Sequence, residues 1–258
     1  MAETALSQAP RRRTLVVGAS RGVGLAIAEA LLARDDTAAV FATARAPERA
    51  GGLRRLADAH PGRVVPLALD VTDDASLEAL PGRLRELVEG LDLVVHCAGV
   101  LHAGELQPEK ALAQCRRENL LRSFEVNSLG PLLTARAVLP LLPKDRPAAF
   151  AALSAMVGSI GDNRLGGWYG YRASKAALNQ FLRTLAIEAK RRHRQLRVLA
   201  IHPGTTDTGL SRPFQGNVPD DRLYTPAQSA ERILAVIDGT TSEDSGGFFN
   251  WNGERIPW

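Results

Sequence analysis

The chain has 258 residues, 45% hydrophobic and 23% charged, a balance that excludes a disordered polymer and suits one large α/β domain. A chain of this size buries roughly 70–75% of its unfolded surface, so its core needs neither metal nor disulfide. Two cysteines, Cys97 and Cys115, fit a reducing, cytoplasmic setting, and the formal charge of +4 does not argue for a nucleic-acid partner, because 28 of the 32 basic residues are arginines spread along the chain.

Residues 1–12 read as a flexible tail, without the apolar stretch of a signal peptide, and no run of about 18 apolar residues follows that would span a membrane. From residue 13 to 258 a single domain is expected, in which apolar runs of strand length alternate with longer amphipathic stretches. Strands are predicted at 14–17, 39–43, 64–69, 93–96, 148–154, 197–201 and 247–251. Helices are predicted at 24–34, 76–89, 117–141, 171–193 and 226–238, with Pro140 and Pro143 stopping the third and Gly239 following the last. The strand interiors are apolar on both faces, which predicts a doubly wound α/β domain: a mainly parallel seven-stranded sheet with helices on each face.

The first chemical signal stands where the first strand ends, in Gly18-Ala19-Ser20-Arg21-Gly22-Val23-Gly24. Glycine lets backbone N–H groups approach a pyrophosphate, and the helix that follows presents unpaired donors and a partial positive charge. The same letters also make a tight strand-to-helix turn; the strand before and the helix after favour a Rossmann-like phosphate site.

The spacing Gly-x3-Gly-x-Gly, with Asp70-Val71, His96-Cys97-Ala98-Gly99, Asn127 in Val-Asn-Ser, Tyr171-Arg172-Ala173-Ser174-Lys175 and Pro203-Gly204-Thr205 with Thr208, resembles the short-chain dehydrogenase/reductase family from about Arg13 to the C-terminus. Gly158-Ser159-Ile160 and the tail from Phe248 to Trp258 are similar to its C-factor and Sniffer-type carbonyl reductases. The resemblance implies that Gly18, Ser20, Arg21, Gly22, Val23, Gly24, Ala98, Gly99, Pro203, Gly204, Thr205 and Thr208 contact a nicotinamide cofactor. It makes Tyr171 the acid/base, Lys175 the residue that binds the nicotinamide ribose and tunes the tyrosine, and Asn127 the anchor of a water relay. It also implies a homodimer or homotetramer formed through the helices at 117–141 and 171–193.

Tyr171 and Lys175 stand four apart on a predicted helix and so project from one face. Reducing a carbonyl leaves negative charge on oxygen, and a phenol drawn below its ordinary pKa of about 10 by the lysine ammonium and an oxidised nicotinamide is a suitable proton donor. The serine departs from the family pattern. Counting back from Gly158, the usual hydroxyl position falls on Ala155, leaving Ser154, if the strand end twists, or Ser159, in the following loop, to hold the substrate oxygen.

Arg45 after the second strand and Arg21 in the glycine loop predict NADP(H) over NAD(H), since no acid stands there and guanidinium pairs with phosphate. Asp70 is expected to reach the adenine amino group, with Val71 beside the base, although helix capping by Asp70 is the competing reading. His96 and Cys97 replace two asparagines frequent in the family, and Cys97 reads as a packing residue. The five histidines show no metal-ligand spacing. Substrate specificity is expected from loops 101–107, 158–170 and 210–224, with Leu165, Trp168, Tyr169, Phe214 and Leu223 as candidate walls of an apolar pocket. The sequence therefore points to an NADP(H)-dependent oxidoreductase that interconverts a small ketone or aldehyde and its alcohol, with no nucleic-acid or membrane partner. A nucleotide-binding signalling or scaffold protein of low turnover is the alternative that Ala155 keeps open.

Overall fold

The computed structural model describes residues 11–216 and 218–258. Its central sheet has seven strands in the order β3-β2-β1-β4-β5-β6-β9, and every neighbouring pair is parallel. The strands are β1 (Arg12–Val17), β2 (Thr37–Ala44), β3 (Val64–Ala68), β4 (Leu93–His96), β5 (Ala148–Leu153), β6 (Leu196–His202) and β9 (Gly247–Asn250). β1 opens at Arg12, the last residue of the span read as a tail; residues 1–10 lie outside the described residues.

Alternating side chains divide the strands between two cores. Leu15, Val17, Phe41, Val94, Phe150, Val198 and Phe248 face one side, where α3 (Asp74–Arg85), α5 (Gly130–Val138) and α6 (Tyr169–Ala189) cover them. Val16, Val40, Val95, Leu199, Ile201 and Phe249 face the other, beneath α1 (Gly22–Leu32), α2 (Gly51–Ala59) and α7 (Pro226–Gly239). Each fully buried leucine or isoleucine contributes about 1.5–3 kcal/mol, so both helix layers are held mainly by these faces. The chain winds outward from β1 through β2 to β3, then returns to place β4 on the other side of β1. That reversal opens a crevice at the carboxyl ends of β1 and β4, the place where such sheets bind ligands.

Three features differ from the sequence expectation. α2 was not predicted, because Gly51-Gly52 reads as a helix breaker and only Leu53 of this helix is buried. The helix expected over 117–141 is interrupted: α4 (Arg117–Phe124) passes through a π turn (Glu125–Leu129) into α5, and a short 3-10 turn (Leu139–Leu141) ends the run. Pro131 cannot donate to the carbonyl of Asn127, so a regular α-helix cannot continue through this point. A small parallel pair, β7 (Thr205–Thr206) with β8 (Leu223–Tyr224), also escaped prediction; it ties together the two ends of the loop that includes Thr208 and Phe214. Among the described residues no helix is long and apolar enough to cross a membrane.

Candidate active site

Steric demand explains the glycines at the crevice. A Cβ at Gly18, where φ is +83°, would lie 2.7 Å from the amide nitrogen of Ala98, so the turn after β1 and the chain after β4 pass in direct contact. Thr43 secures that turn from β2, its hydroxyl accepting from the Gly18 N–H at 3.2 Å and its carbonyl from the Ala19 N–H at 2.8 Å. A Cβ at Gly22, with φ +59°, would meet the Thr208 side chain at 3.3 Å, which brings the loop after β6 over the same turn. α1 then starts behind an exposed Arg21 with no side-chain cap and no acid in its first turn. Its free N–H groups and positive end suit an anionic ligand. A glycine cradle that side chains would fill, opening on an uncapped helix, fits the pyrophosphate of a dinucleotide.

The second half of the site is built by α6 and the π turn. Asn127 is fully buried; its Oδ1 accepts from the Val100 N–H at 2.8 Å, and its Nδ2 donates to the Val100 carbonyl at 2.8 Å and to Ser174 Oγ at 3.1 Å. Its side chain is thus satisfied, while its carbonyl loses its usual helical donor to Pro131. Lys175, 4% exposed, donates to the Leu153 carbonyl at 2.8 Å, and its ammonium stands 5.7 Å from the centre of the Tyr171 ring. A Cβ at exposed Gly99 would lie 3.4 Å from Asn127 Oδ1 and 3.7 Å from Lys175 Nζ. Gly99, Asn127, Tyr171 and Lys175 therefore lie together, next to the cradle that Gly18 and Ala98 form.

Burial sets the proton affinities. It pushes the Lys175 amine down to about 8, and the Tyr171 phenol upward from its ordinary value. The lowered phenol expected from the sequence includes the charge of an oxidised nicotinamide, and burial alone acts in the other direction. Lysine and tyrosine lie on one face of the helix, and the ammonium tip donates to the Leu153 carbonyl while standing over the ring. Burial also lowers His96 to about 3, with the Lys175 charge adding to it, so this imidazole is neutral. Cys97 is pushed up to about 12 by burial and is a packing thiol, as the sequence suggested. Among the described residues no group of histidine, cysteine or acidic side chains is arranged to hold a metal.

Both candidate serines have a hydrogen-bond partner within the fold. β5 ends at Leu153, and Ser154 donates its hydroxyl to Asn179 Oδ1 at 2.6 Å, deep against α6 and two turns beyond Tyr171. Ser159, also buried, accepts from the Asp162 N–H at 3.1 Å and so closes its own turn. Ser154→Ala is expected to cost about 1–3 kcal/mol of stability in chemical denaturation, because Asn179 Oδ1 is left without its donor, while turnover stays within threefold of the parent. A tenfold loss of turnover in this variant would restore Ser154 to the reacting atoms.

At the adenosine end, Asp70 Oδ1 accepts from the Thr72 N–H at 2.9 Å and the Thr72 hydroxyl at 2.8 Å. Burial opposes its charge, yet these bonds and the nearby cations of Arg45 and Arg122 bring its carboxyl below the ordinary value. The cap of α3 is Asp73, so Asp70 is released from the capping role. The Val71 side chain goes into the core, where a Cβ on Gly130 would meet it at 2.9 Å. Arg45 is exposed after β2. Across the mouth, Trp168 packs edge-on to Phe214 at 5.1 Å and to Tyr171 at 6.2 Å, forming an apolar wall beside the phenol. His102, which sequence reasoning did not select, meets Phe214 at 5.8 Å and bonds the Gly209 carbonyl through Nε2 at 3.0 Å. Leu165, 92% exposed, does not line this wall.

Comparison with known proteins agrees with this geometry. The model of the short chain dehydrogenase family matches residues 12–218, and the chain belongs to that family. It is 36% identical over 249 residues to the 1-hydroxy-2-glutathionyl-2-methyl-3-butene dehydrogenase of a Rhodococcus species, covering 95% of this chain and 98% of that one. Among solved structures, the NADPH-bound carbonyl reductase from chicken fatty liver superposes with a TM-score of 0.86 at 30% identity, covering 98% of this chain and 97% of that one. The carbonyl reductase Sniffer of Drosophila melanogaster superposes with a TM-score of 0.85 at 26% identity, covering 96% of this chain and all of that one. The chain is an oxidoreductase of the short-chain dehydrogenase/reductase family, acting between CH–OH and C=O groups, and the NADP-bound neighbours associate this fold with a nicotinamide cofactor.

Proposed function

We propose that the protein reduces a small ketone or aldehyde with NADPH, or oxidises the corresponding alcohol, and that Tyr171 is its acid/base. The observation that carries this reading is the convergence of Gly99, Asn127 and Lys175 beside the Tyr171 ring. Gly18, Ser20, Gly22, Val23 and Gly24 would hold the pyrophosphate, Arg21 and Arg45 the 2′-phosphate, Asp70 and the Val71 backbone the adenine, and Ala98, Gly99, Pro203, Gly204, Thr205 and Thr208 the remaining length of the dinucleotide. When bound, the reduced nicotinamide supplies a hydride to the carbonyl carbon.

The chain's own residues handle the proton. As the carbonyl π pair moves onto oxygen, the Tyr171 O–H bond breaks and its proton passes to that oxygen, leaving phenolate. Burial holds the phenol protonated beforehand, the form that reduction consumes and that oxidation has to lose first. The Lys175 ammonium stabilises the phenolate, and an amine near 8 exchanges protons readily at neutral pH. Asn127, with its side chain fixed and its carbonyl freed by Pro131, anchors the water that returns a proton. Trp168 and Phe214 favour an apolar carbonyl compound over a strongly charged one.

The test is NADPH oxidation, followed by absorbance, across aldehydes, ketones and quinones. Tight NADPH binding without turnover on any of them would favour the low-turnover nucleotide-binding alternative, and no binding would remove the cofactor reading altogether. Preference for NADP(H) rests on Arg45 and Arg21. Arg45→Glu is expected to weaken NADPH binding at least tenfold relative to NADH, by replacing a guanidinium that pairs with the 2′-phosphate by a carboxylate that repels it and bonds the 2′-hydroxyl. An unchanged ratio of the two dissociation constants would refute that role.

A further inference from the structure

We infer that Glu109 is a positioning residue: from outside the helix it supplies the N-terminal cap that α6 lacks, and so fixes Trp168 and the placement of Tyr171. This inference deepens the reductase reading and rests on it only for its effect on turnover.

The start of α6 carries Tyr171 in its first turn, yet it has neither a capping side chain nor an acid of its own. Its cap position is taken by Trp168 at φ 51° and ψ 45°, the only non-glycine residue with positive φ among the described residues. A bulky side chain does not hold that conformation without outside restraint. The restraint is Glu109. Its carbonyl accepts from the Trp168 N–H, and its carboxylate Oε2 accepts from the Gly170 N–H at 3.0 Å. Two of the donors that open the helix are thereby satisfied by one residue from the segment before α4.

The surrounding sequence is shaped to admit this carboxylate. Glu109 is 3% exposed, and a Cβ at Gly170 would lie 3.1 Å from its Oε1 and 3.2 Å from Ser123 Oγ, so a side chain there would press on the carboxylate by a few tenths of an ångström. A Cβ at Gly167, which has φ +66°, would approach the Glu109 carbonyl at 3.4 Å. Arg172 holds the same turn from the helix side, its Nε donating to the carbonyls of Gly166 at 3.2 Å and Gly167 at 3.0 Å. Glu109 therefore fixes the N–H groups of the turn while Arg172 fixes its carbonyls. Between them stands Trp168, whose ring meets both Tyr171 and Phe214. Loss of the cap frees Trp168, and through it the phenol and the aromatic wall above the substrate, without touching the glycine loop.

The experiment compares the parent with Glu109→Ala and Glu109→Gln by backbone amide exchange over residues 166–172, NADPH binding and steady-state turnover. In Glu109→Ala, exchange in this segment is expected to rise at least tenfold and kcat to fall at least tenfold, with the Kd for NADPH within threefold. In Glu109→Gln, whose amide oxygen still accepts from Gly170, exchange and kcat are expected within threefold of the parent. Unchanged exchange in Glu109→Ala overturns the inference. Faster exchange with unchanged kcat reduces Glu109 to a structural cap and overturns its part in placing Tyr171, and a glutamine variant as damaged as alanine overturns the acceptor role. If Glu109→Ala does not fold, Glu109→Asp, one methylene shorter, carries the same expectation. A parent that binds NADPH and reduces no carbonyl compound would count against the reductase reading, while amide exchange would still decide whether Glu109 caps α6.

Discussion

Tyr171→Phe is expected to lower NADPH-dependent carbonyl reduction by about 10²–10⁴-fold, the range that a positioned general acid contributes, with NADPH affinity within threefold of the parent. The substitution removes one oxygen and leaves the ring, so the edge contact with Trp168 at 6.2 Å and the Lys175 ammonium over the ring are both preserved. What disappears is the proton that the developing alkoxide takes. No neighbouring group replaces it. Ser154 is committed to Asn179, and Ser159 sits in its own turn. Position 155, where the family's hydroxyl usually stands, is a buried alanine. On the proposed reading Tyr171 bears the oxyanion without a serine at position 155, which places the expected loss toward the upper end of the range. Retention of more than a tenth of the parent turnover would remove Tyr171 from the proton transfer. Loss of NADPH binding together with turnover would instead mean that the hydroxyl serves the cofactor pocket.

The parts of the fold that could be read from sequence are those in which one local property decides the structure. β1, β4 and β6 are apolar on both faces because helices cover both, and their runs stood out at nearly their true bounds. The glycine loop was legible for a similar reason: the close approach of Gly18 to Ala98 tolerates no side chain, so the letters carry the geometry. Features that depend on partners remote in sequence were not legible. The break at Glu125–Leu129 lies within a hydrophobic spacing that continues on either side, and only Pro131 marks it. β5 ends at Leu153, and Ser154 just beyond it meets Asn179, a partner 25 residues away that the local pattern does not reveal. The cap on α6 joins Glu109 to Gly170, 61 residues apart, and neither residue type announces the other. Helix spacing fixes which face the Tyr171 side chain occupies, while its proton affinity also depends on burial, which the spacing does not encode.

Gly24→Ala is expected to be the most damaging of the small substitutions, costing about 3 kcal/mol or more in chemical denaturation and weakening NADPH binding at least a hundredfold. Gly24 lies in the first turn of α1, where an added Cβ would stand 2.3 Å from the Gly18 carbonyl oxygen and 3.2 Å from the Ala19 Cα. Both obstacles are backbone, and that backbone cannot yield: Gly18 is pressed against Ala98 and its N–H is bonded to Thr43, while Ala19 is tied to the Thr43 carbonyl. The helix has to move instead. α1 is packed through Ile27 and Leu31 into the same core as Ile233 and Ile237 of α7, so outward displacement opens that core as well as turning the free N–H groups away from the cradle. Gly82→Ala supplies the contrast. It adds the same methyl group inside α3 with nothing within 4 Å, and it is expected to be neutral or to stabilise by up to about 1 kcal/mol through helix propensity. If Gly24→Ala unfolds within 1 kcal/mol of the parent and binds NADPH with a Kd within threefold, the glycine is a bystander and the contact of α1 with the turn after β1 does not set the cradle. Loss of binding with stability retained would show that the methyl group blocks the ligand's approach without displacing the helix.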